Sequence, residues 1–324
     1  MISVVIPNLN GKHFLEICLK SIYNQSFGDV EVILIDNASN DDSVKFVLNE
    51  YPKVKIVVNN ENLGFSKAVN QGIKAANGDL IFLLNNDTEL HIDCLKALNN
   101  AAQDKKDASI FASKMLYFDE RNIINDVGDI FSIYAIAHQQ GKGEVDNGQY
   151  NAERYIFGAC AGAAMYRADL FQEIGLFDED FFAYLEDVDV SFRSQIYGRK
   201  CLYVPNAVVY HVDGGTSKKI NNFSRYYTTR NVLYLITKNF PWKILLLLSP
   251  FILLGQLRNL IGSIKNKSFG LFVKSYYEYF FNFCSLIKKR RKILTNKKVS
   301  DKYIISILDK KYPFSILKSL GLRK

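Results

Sequence analysis

Residues 30–37 read VEVILIDN, an apolar run of strand length that ends on a carboxylate. Its β-branched residues predict a buried strand over Val30–Ile35, and the spacing that follows predicts a helix over Ser43–Leu48. The same alternation recurs through the first 110 residues. The other predicted strands are Ser3–Pro7, Lys55–Val58 and Leu80–Leu84, and the other predicted helices are Lys12–Tyr23, Phe65–Ala76 and Ile92–Ala102. This pattern is typical of an α/β fold with a mostly parallel central sheet.

The rest of the chain is less regular up to residue 217 and then changes character. Within it the sequence predicts a helix over Asp187–Tyr197 and a strand over Cys201–Tyr210. We interpret residues 1–110 and 111–217 as two halves of one catalytic unit, and residues 218–324 as a helical, basic C-terminal region. The apolar run Ile244–Leu254 lies in that region, and as a helix its eleven residues extend only about 16 Å. Because a bilayer core is about 30 Å thick, a single membrane crossing is not expected.

The composition is that of a globular protein, with 48% hydrophobic and 23% charged residues in 324. The net charge of +8 is unevenly placed: residues 265–324 hold 16 Lys/Arg against 3 Asp/Glu, so the first 264 are net negative. The five cysteines are scattered and form no Cys-x-x-Cys pair, which indicates reduced thiols. No basic leader precedes the first apolar run, so we expect the protein to stay in the cytoplasm.

Polar side chains follow the predicted strands of the first half, at the sheet edge where open α/β sheets bind ligands. They are Asn8, Asp36 and the run Asn85-Asn86-Asp87. The carboxylate of Asp36 has the chemistry to accept the imide N–H of a uracil or thymine ring. The alternative is a cap for the helix that follows. The residues alone leave both interpretations open.

Asp87 and Gly64 have the chemistry to contact phosphates. A divalent cation that bridges two phosphates needs only one or two protein oxygens, so one carboxylate after a strand suffices. The alternative for Asp87 is a cap for a helix beginning near His91. Gly64 opens a predicted helix and is suited to expose N–H groups to a phosphate. The patterns GxGxxG and GxxxxGK[ST] are absent, which disfavours dinucleotide and P-loop enzymes.

The densest group of charged residues is the run FAYLEDVDVSFR at 182–193. Glu186, Asp187 and Asp189 repel one another, which predicts a raised pKa suited to a general base. Asp189 and Arg193 stand one helical turn apart and are expected to pair, which leaves the other two carboxyls facing the cleft. The alternative is an acidic first turn that only favours the helix dipole. His211 ends the last predicted strand, where a lone histidine is more often a structural hydrogen-bonding residue.

These pieces follow one order along the chain. The order is Ser3-Val-Val-Ile-Pro7-Asn8-x-Asn10, Asp36, Asn62-x-Gly64-(x)5-Asn70-x-Gly72, Asn85-Asn-Asp87, Gly158-(x)3-Gly162, Glu186-Asp187-x-Asp189-(x)3-Arg193 and His211. The series resembles the family 2 inverting glycosyltransferases of the GT-A fold, and most closely their bacterial rhamnosyltransferase-like branch. The resemblance covers residues 2–215.

The resemblance implies a nucleotide-sugar enzyme with Asp187 as the catalytic base for the acceptor hydroxyl. It places Mg²⁺ or Mn²⁺ on Asp87 and His211, and the acceptor near Gly162 and Glu186. The donor side would comprise Pro7, Asn8, Asn10, Asp36, Asn62, Gly64, Asn70 and Asn86. The sequence departs from the family at Asn85-Asn86-Asp87, where the usual motif is Asp-x-Asp. One carboxylate is therefore missing from the metal motif.

The activity implied is inverting transfer of rhamnose from dTDP-rhamnose to a lipid-linked or polysaccharide acceptor in cell-surface glycan synthesis. Within the enzyme class, the alternative donors are a UDP-hexose or UDP-galactofuranose, because Asp36 does not separate thymine from uracil. Outside it, the alternative is a non-catalytic nucleotide- or carbohydrate-binding subunit. The presence of both Asp187 and Asp87 disfavours that subunit.

The sequence of the C-terminal region predicts a separate partner, a membrane surface. Trp242, the apolar run after it and the cluster KKRRK at 288–292 suit an interfacial helix on an anionic membrane surface. We therefore expect a peripheral protein on the inner face of the cell membrane. The alternative is a helical packing domain with a solvated charged face. Nucleic-acid binding is disfavoured, because the basic residues cluster beside an apolar run and are not interleaved with aromatic residues on a sheet.

Overall fold

The computed structural model describes residues 1–212 and 222–310. In its first 104 residues the predicted strands and helices are all present, and one short strand over Thr88–Leu90 that the sequence did not predict is added. The strands are β1 (Ile2–Asn8), β2 (Val30–Asp36), β3 (Lys55–Val58), β4 (Leu80–Leu84) and β5 (Thr88–Leu90). The helices are α1 (Lys12–Tyr23), α2 (Ser43–Glu50), α3 (Phe65–Ala75) and α4 (Cys94–Asp104). Strands β3, β2, β1 and β4 lie side by side in that order and run parallel, so the carboxyl ends of the last three meet at one edge.

The second half extends the same sheet. Its strands are β6 (Ala108–Tyr117), β7 (Ile124–Asp126), β8 (Asp129–Phe131), β9 (Ala137–Gln139), β10 (Arg154–Ile156), β11 (Ala163–Arg167) and β12 (Lys200–His211). Helices α5 (Ala168–Ile174) and α6 (Glu186–Ile196) lie between β11 and β12. Strand β11 runs antiparallel between β4 and β6, while β12 runs parallel to β6. The α/β fold with a mostly parallel sheet is therefore confirmed.

Strand β5 is short but decides where two site residues meet. It leaves the sheet edge after β4 and pairs antiparallel with the end of β12, so that Thr88 lies opposite His211. The chain on either side of this pair brings Asp87 next to the imidazole of His211. Two residues 124 positions apart in sequence thus become neighbours through one strand pairing.

Hydrophobic cores lie on both faces of the sheet. One face is covered by α1 and α4 through side chains such as Leu19 and Leu98, which are fully buried. The other face is covered by α3, α6 and the C-terminal helices, with Phe192, Leu235 and Leu286 in one continuous cluster. The C-terminal helices thus share a core with the sheet that carries the strand-end residues.

The C-terminal helices are α7 (Phe223–Asn239), α8 (Trp242–Lys265), α9 (Phe269–Thr295) and α10 (Asp301–Ser306). The expectation of an eleven-residue apolar helix is wrong, since α8 has 24 residues and extends about 36 Å. Within the described residues it is the one helix that is long and apolar enough to cross a membrane, and 22% of its most apolar window is buried. The predicted boundary between residues 217 and 218 lies outside the described residues.

Helix α8 continues through a proline at its middle. Pro250 has no N–H, so the carbonyl of Leu246 one turn earlier loses its usual backbone partner. The hydroxyl of Ser249 donates to that carbonyl at 2.8 Å. The carbonyl that Pro250 leaves without a backbone donor therefore has a side-chain partner within the same helix.

Candidate active site

The strand-end residues of the first half form a hydrogen-bonded row. The amide of Asn8, at the end of β1, donates to Asp36 Oδ1 at the end of β2, with 2.9 Å between the atoms. The amide of Asn86, after β4, donates to Asn8 Oδ1 at 2.7 Å. All three side chains are at least nine-tenths buried. The structure therefore brings the predicted donor residues Asn8, Asp36 and Asn86 together at one sheet edge.

Asp36 does not cap a helix, so that interpretation is wrong. Helix α2 begins only at Ser43, and its N-cap residue is Asp42. Asp36 Oδ2 instead accepts the backbone N–H of Ser39 at 2.9 Å. Asn10 closes the same turn from the other side, since its Oδ1 accepts the N–H of Asn40 at 2.7 Å. These bonds fix the carboxylate of Asp36 against a tight loop at the site's edge.

The predicted donor residues on and before α3 have separate surroundings. Asn62 Oδ1 accepts from the Asn37 amide and from the N–H of Gly64, at 2.8 and 2.9 Å. Gly64 has φ +81°, and a Cβ there would lie 2.6 Å from the ring of Phe182. Asn70 is buried and bonds both the N–H and the carbonyl of Phe177. Asn70 therefore ties α3 to the segment before α6 and is not part of the strand-end row.

Pro7 and Gly162 contribute to the site through their backbone and not through a polar side chain. Pro7 lies in β1 opposite Ile35. The carbonyl of Gly162 accepts the N–H of Asn85 at 2.9 Å, and a Cβ at Gly162 would meet the Asn85 side chain at 3.0 Å. Asn85, the residue that replaces the first acid of Asp-x-Asp, thus lies against Gly162.

Asp87 and His211 face each other, with 3.3 Å between Oδ1 and Nε2. Each residue is 8% exposed. The cap interpretation of Asp87 is wrong, because a strand follows it and α4 begins only at Cys94. His211 Nδ1 lies 3.1 Å from Asn125 Oδ1. The other ring nitrogen, Nε2, therefore faces Asp87.

This pair has the chemistry to hold a divalent cation. A carboxylate oxygen and an imidazole nitrogen both ligate Mn²⁺, while Mg²⁺ prefers oxygen and keeps waters and phosphate oxygens in its other positions. No group of three or more His, Cys, Asp or Glu side chains forms a metal cluster within residues 1–212 and 222–310. The residues present therefore fit a cation that takes most of its ligands from a diphosphate and water.

Asp187 lies in the first turn of α6, which begins at Glu186. Its Oδ2 accepts the N–H of Ala161 at 3.1 Å, and its Oδ1 accepts the N–H of Val188 at 2.8 Å. Asp187 remains partly exposed, whereas Glu186 is 6% exposed and its Oε2 has no hydrogen-bond partner. The two carboxyls are adjacent in sequence but differ in how their negative charge would be stabilised.

The predicted pair between Asp189 and Arg193 is confirmed, with 2.9 Å between Oδ2 and Nε. Asp189 is fully buried and also contacts Lys238 and the amide of Asn239. Burial opposes ionisation of Asp189, yet Lys238 and Arg193 hold its pKa below the ordinary value. Asp189 is therefore a structural anion that joins α6 to α7.

Sequence reasoning missed two further carboxyls, Asp126 at the end of β7 and Asp129 at the start of β8. Both are buried, and Asp129 Oδ2 has no hydrogen-bond partner. Both couple electrostatically to Asp187. The local signal is only a pair of acids around Gly128 in an irregular stretch, so no strand or helix pattern marks them.

The surroundings of the four carboxyls stabilise their charged forms to different degrees. Burial raises the pKa of Asp187, but its two backbone N–H donors favour the charged form. Burial, with the nearby charge of Asp187 contributing, raises the pKa of Asp126 to about 7. Burial and like charge raise the pKa of Glu186 and of Asp129 well above the ordinary range. The charged form is therefore best stabilised at Asp187. The pKa is raised at Glu186 and Asp187, but burial is the first cause at both and not the predicted mutual repulsion, and the pKa of Asp189 is lowered.

The fold matches that of solved glycosyltransferases of the GT-A fold. GalNAc-T7, crystallised with UDP, GalNAc and Mn²⁺, aligns with this chain with a TM-score of 0.67 at 17% identity. The alignment covers 98% of this chain and 57% of that one. The Staphylococcus aureus protein TarS aligns with a TM-score of 0.56 at 15% identity, over 99% of this chain and 52% of that one.

The chain belongs to glycosyl transferase family 2, whose family model matches residues 3–175, more than half of its length. It is therefore a glycosyltransferase acting in glycan synthesis. The resemblance to the rhamnosyltransferase-like branch is confirmed by a relative in that branch, described below.

Two curated relatives have informative names. The N-acetylglucosaminyl-diphospho-decaprenol L-rhamnosyltransferase of Mycobacterium tuberculosis is 26% identical over 235 residues, which cover 64% of this chain and 74% of that protein. The GalNAc(5)-diNAcBac-PP-undecaprenol beta-1,3-glucosyltransferase of Campylobacter jejuni is 27% identical over 194 residues, or 52% of this chain and 61% of that protein. This chain thus spans less than two thirds of the Campylobacter enzyme.

Proposed function

We propose that this glycosyltransferase inverts configuration while it moves rhamnose from dTDP-rhamnose to a lipid-linked or polysaccharide acceptor. The observation that carries the chemistry is the difference between Asp187 and its neighbours. Asp187 alone of the four clustered carboxyls has two backbone donors and partial exposure. It is therefore the group best suited to take a proton from an acceptor hydroxyl near neutral pH.

The chain's own residues account for the other parts of the reaction. The row of Asn8, Asp36 and Asn86 would orient the nucleotide, with Asp36 on the imide N–H of the base. Asp187 accepts the proton as the acceptor oxygen attacks the anomeric carbon in line, through an oxocarbenium-like transition state. Since one displacement inverts the configuration, no covalent intermediate is needed.

Asp87 and His211 would hold a divalent cation, Mg²⁺ or Mn²⁺. When bound, such a cation neutralises the charge that develops on the departing nucleoside diphosphate. The pair supplies one oxygen and one nitrogen ligand, which accounts for a working site despite the asparagines at the first two positions of the motif. The GalNAc-T7 structure, which contains Mn²⁺ and UDP, supports this part of the proposal by analogy of fold.

The name of the Mycobacterium relative supports rhamnose as the sugar and a polyprenyl diphosphate-linked sugar as the acceptor. The name of the Campylobacter relative favours a second candidate, glucosyl transfer to a lipid-linked acceptor. The two candidates differ in donor, and Asp36 would not separate them by their base, because thymine and uracil share the imide N–H that it would accept.

A panel of donors separates the candidates. The wild-type protein is heated with dTDP-rhamnose, UDP-glucose or UDP-galactofuranose, each with Mg²⁺, with Mn²⁺ or with EDTA. We expect dTDP-rhamnose with a cation to raise Tm at the lowest concentration, because stabilisation follows RT ln(1 + [L]/Kd). NMR of the transfer product then gives the anomeric configuration. Stabilisation by UDP-glucose at lower concentration, or retention of configuration, would contradict the proposal.

We also infer that α8 and α9 bind the inner surface of an anionic membrane. Both helices expose large apolar side chains that nothing in the described chain covers. On α8 these include Leu246, Leu247, Leu253, Leu254 and Leu257, and on α9 they include Val273, Tyr277, Phe280, Phe281 and Phe283. Leu246 and Phe281 are 75% and 78% exposed. Exposed apolar area on this scale is typical of an interaction site.

The basic cluster 288–292 divides into two parts. Lys289 pairs with Asp178 and Asp180, and Arg290 stacks over the ring of Trp242 at 3.9 Å, so both serve internal contacts. Lys288, Arg291 and Lys292 remain exposed. Each basic residue near an anionic surface contributes about 1 kcal/mol, so three of the five residues support membrane attraction.

Vesicle co-sedimentation tests this inference on the full chain. The double variant Leu246→Glu with Phe281→Glu is compared with Leu48→Glu, which changes a leucine exposed to 58% on α2. We expect the double variant to leave anionic vesicles while the control stays bound. Salt should weaken wild-type binding without abolishing it, because only the electrostatic part is screened. Equal binding of both variants would show that these helices face no lipid.

A further inference from the structure

Glu186 and Asp187 follow a loop with an unfavourable backbone. Residues Phe182, Tyr184 and Leu185 have φ of 63°, 68° and 66°, in the left-handed region that side chains other than glycine seldom adopt. Leu185 is the N-cap residue of α6, so Glu186 and Asp187 come directly after it. Since no glycine relieves this loop, other parts of the protein must hold it in place.

Helix α7 supplies the restraint from one side. The amide nitrogen of Asn231, a fully buried residue, lies 3.0, 2.9 and 2.7 Å from the carbonyl oxygens of Phe181, Ala183 and Tyr184. An amide has two N–H donors, so one of these bonds is shared. Arg230, the preceding residue, donates to the carbonyl of Asp180 at 2.7 Å and to that of Phe181 at 3.0 Å. The loop's carbonyls therefore converge on two adjacent side chains.

Residues at the start of α3, next to the predicted donor residue Gly64, contact the same loop. The carbonyl of Phe182 accepts the N–H of Ser66 at 3.2 Å, in the first turn of α3. The ring of Phe182 lies so close to Gly64 that a Cβ there would clash with it. Phe182 also stacks on Tyr227 of α7, with ring centres 5.2 Å apart. One loop thus connects the helix after Gly64, the catalytic carboxyls and α7.

We propose that Asn231 is a positioning residue for the transfer reaction, which holds the loop 181–185 so that Asp187 meets the acceptor hydroxyl. This inference rests on the proposed function in one respect, the role of Asp187 as base. Asn231 itself touches no part of the strand-end row and no ligand of the cation. Its effect on catalysis passes through the backbone of three residues. The helix that belongs by sequence to the C-terminal region is thereby part of the catalytic machinery.

The test compares two asparagines of α7 that are equally buried. Asn231→Ala removes the donors to the loop, whereas Asn239→Ala removes a donor to Asp189, which Lys238 and Arg193 still pair. We expect Asn231→Ala to lower kcat about 100-fold, because small misplacement of a reacting group has effects of that order. Binding of dTDP or UDP with Mn²⁺ should stay within about threefold. Asn239→Ala should retain most of its kcat.

Two readouts distinguish positioning from general destabilisation. Hydrogen exchange of peptides covering residues 178–190 should rise in Asn231→Ala, while exchange in β4 and β5 stays at the wild-type level. The acid limb of the kcat–pH profile should move to lower pH, because an opened loop hydrates Asp187. Asn231→Ser, which keeps one donor, is the milder variant and should lose only about tenfold in kcat.

Three outcomes would overturn the proposal. They are equal loss of kcat in the two alanine variants, an unchanged acid limb in Asn231→Ala, and increased exchange with near-native kcat. Asp187→Asn measured alongside separates this inference from the proposed function. Near-native turnover in Asp187→Asn would refute the base assignment, whereas the exchange data on the loop would still decide whether Asn231 restrains it.

Discussion

The two sides of the site satisfy their buried polar groups in different ways. On the donor side, both oxygens of Asp36 have internal partners, and Asn8 joins Asp36 to Asn86. On the acceptor side, Glu186 and Asp129 each keep a buried carboxyl oxygen without a hydrogen-bond partner. The donor side is therefore assembled before any ligand arrives. The acceptor side contains uncompensated carboxyls, an arrangement that proteins tolerate mainly where it serves chemistry.

The contrast indicates what each side contributes. A prearranged donor side lowers the entropy lost when a nucleotide binds. Burial of Glu186 and Asp129 beside Asp187 favours their protonated forms, so that negative charge is favoured on the group that must take a proton. Binding and proton transfer should therefore respond to different substitutions.

The largest effect is expected on the acceptor side, from Asp187→Asn. The amide keeps the shape of the side chain but does not accept the acceptor's proton, so the transfer rate should fall by about 10² to 10⁴. Binding of the nucleotide, measured by calorimetry, should remain. Glu186→Gln is the matched control and should cost far less, because burial and the nearby charge of Asp187 raise the pKa of Glu186 and favour its neutral form. A larger loss of transfer rate in Glu186→Gln than in Asp187→Asn would assign the role of base to Glu186 instead of Asp187.

The next effect concerns the cation. Asp87→Ala and His211→Ala should each raise the Mn²⁺ concentration needed for half-maximal transfer by at least about tenfold, because each would remove one of two protein ligands. Asp119→Ala is the control, an acid beside His211 in the same surface cavity. Titrations that overlay the wild type in both ligand variants would rule out this pair as the cation site.

A smaller effect is expected on the donor side. Asp36→Ala should weaken nucleotide binding about tenfold at saturating cation, because it removes the acceptor for the base and frees Asn8 and Ser39. Asp42→Ala, at the N-cap of α2 without a side-chain capping bond, is the control. Calorimetry with dTDP measures both. A large fall in kcat with unchanged binding would mean that the donor side also positions the reaction.

The smallest effect is a pH dependence that Asp126 brings to donor binding. Burial raises the pKa of Asp126 to about 7, so its proton leaves as the pH rises through neutrality. The new charge lies near Asp187 and Asp129, with Lys142 and His211 as opposing groups. Because the donor is anionic, KM should rise about threefold above that pH. Asp126→Asn should flatten the rise of KM with pH. Parallel KM–pH profiles of this variant and the wild type would exclude Asp126 as the cause of the rise.

The sequence predicted most of the donor side, because its signals are local. Strands β3 and β4 and helix α1 occur over the predicted residues, and the carboxyl ends of parallel strands carry the predicted polar groups. Local pattern did not reveal Asp126 and Asp129, because β7 and β8 are strands of only three residues, too short to show an alternating pattern of their own. The acceptor side depends on contacts between residues far apart in sequence.

The C-terminal region shows the same limit. Composition indicated helices and positive charge, but it did not indicate that Lys289 and Arg290 serve internal contacts or that Asn231 contacts the loop before α6. Nor did it reveal that these helices complete the hydrophobic core over the sheet. Removing them would expose that core, so point substitutions are better tests of membrane binding than truncation.

The hydroxyl of Ser249 in α8 also changes how the backbone carbonyl of Leu246 is solvated. A proline in a helix normally leaves one carbonyl for water to hydrate, and an oxygen without a partner is costly in hydrocarbon, where no water replaces the lost bond. In α8 the Ser249 hydroxyl already occupies the carbonyl of Leu246, among leucines that are exposed. Because the Leu246 carbonyl already has a partner, moving this part of α8 into a medium of low dielectric constant would not strip water from an unpaired oxygen.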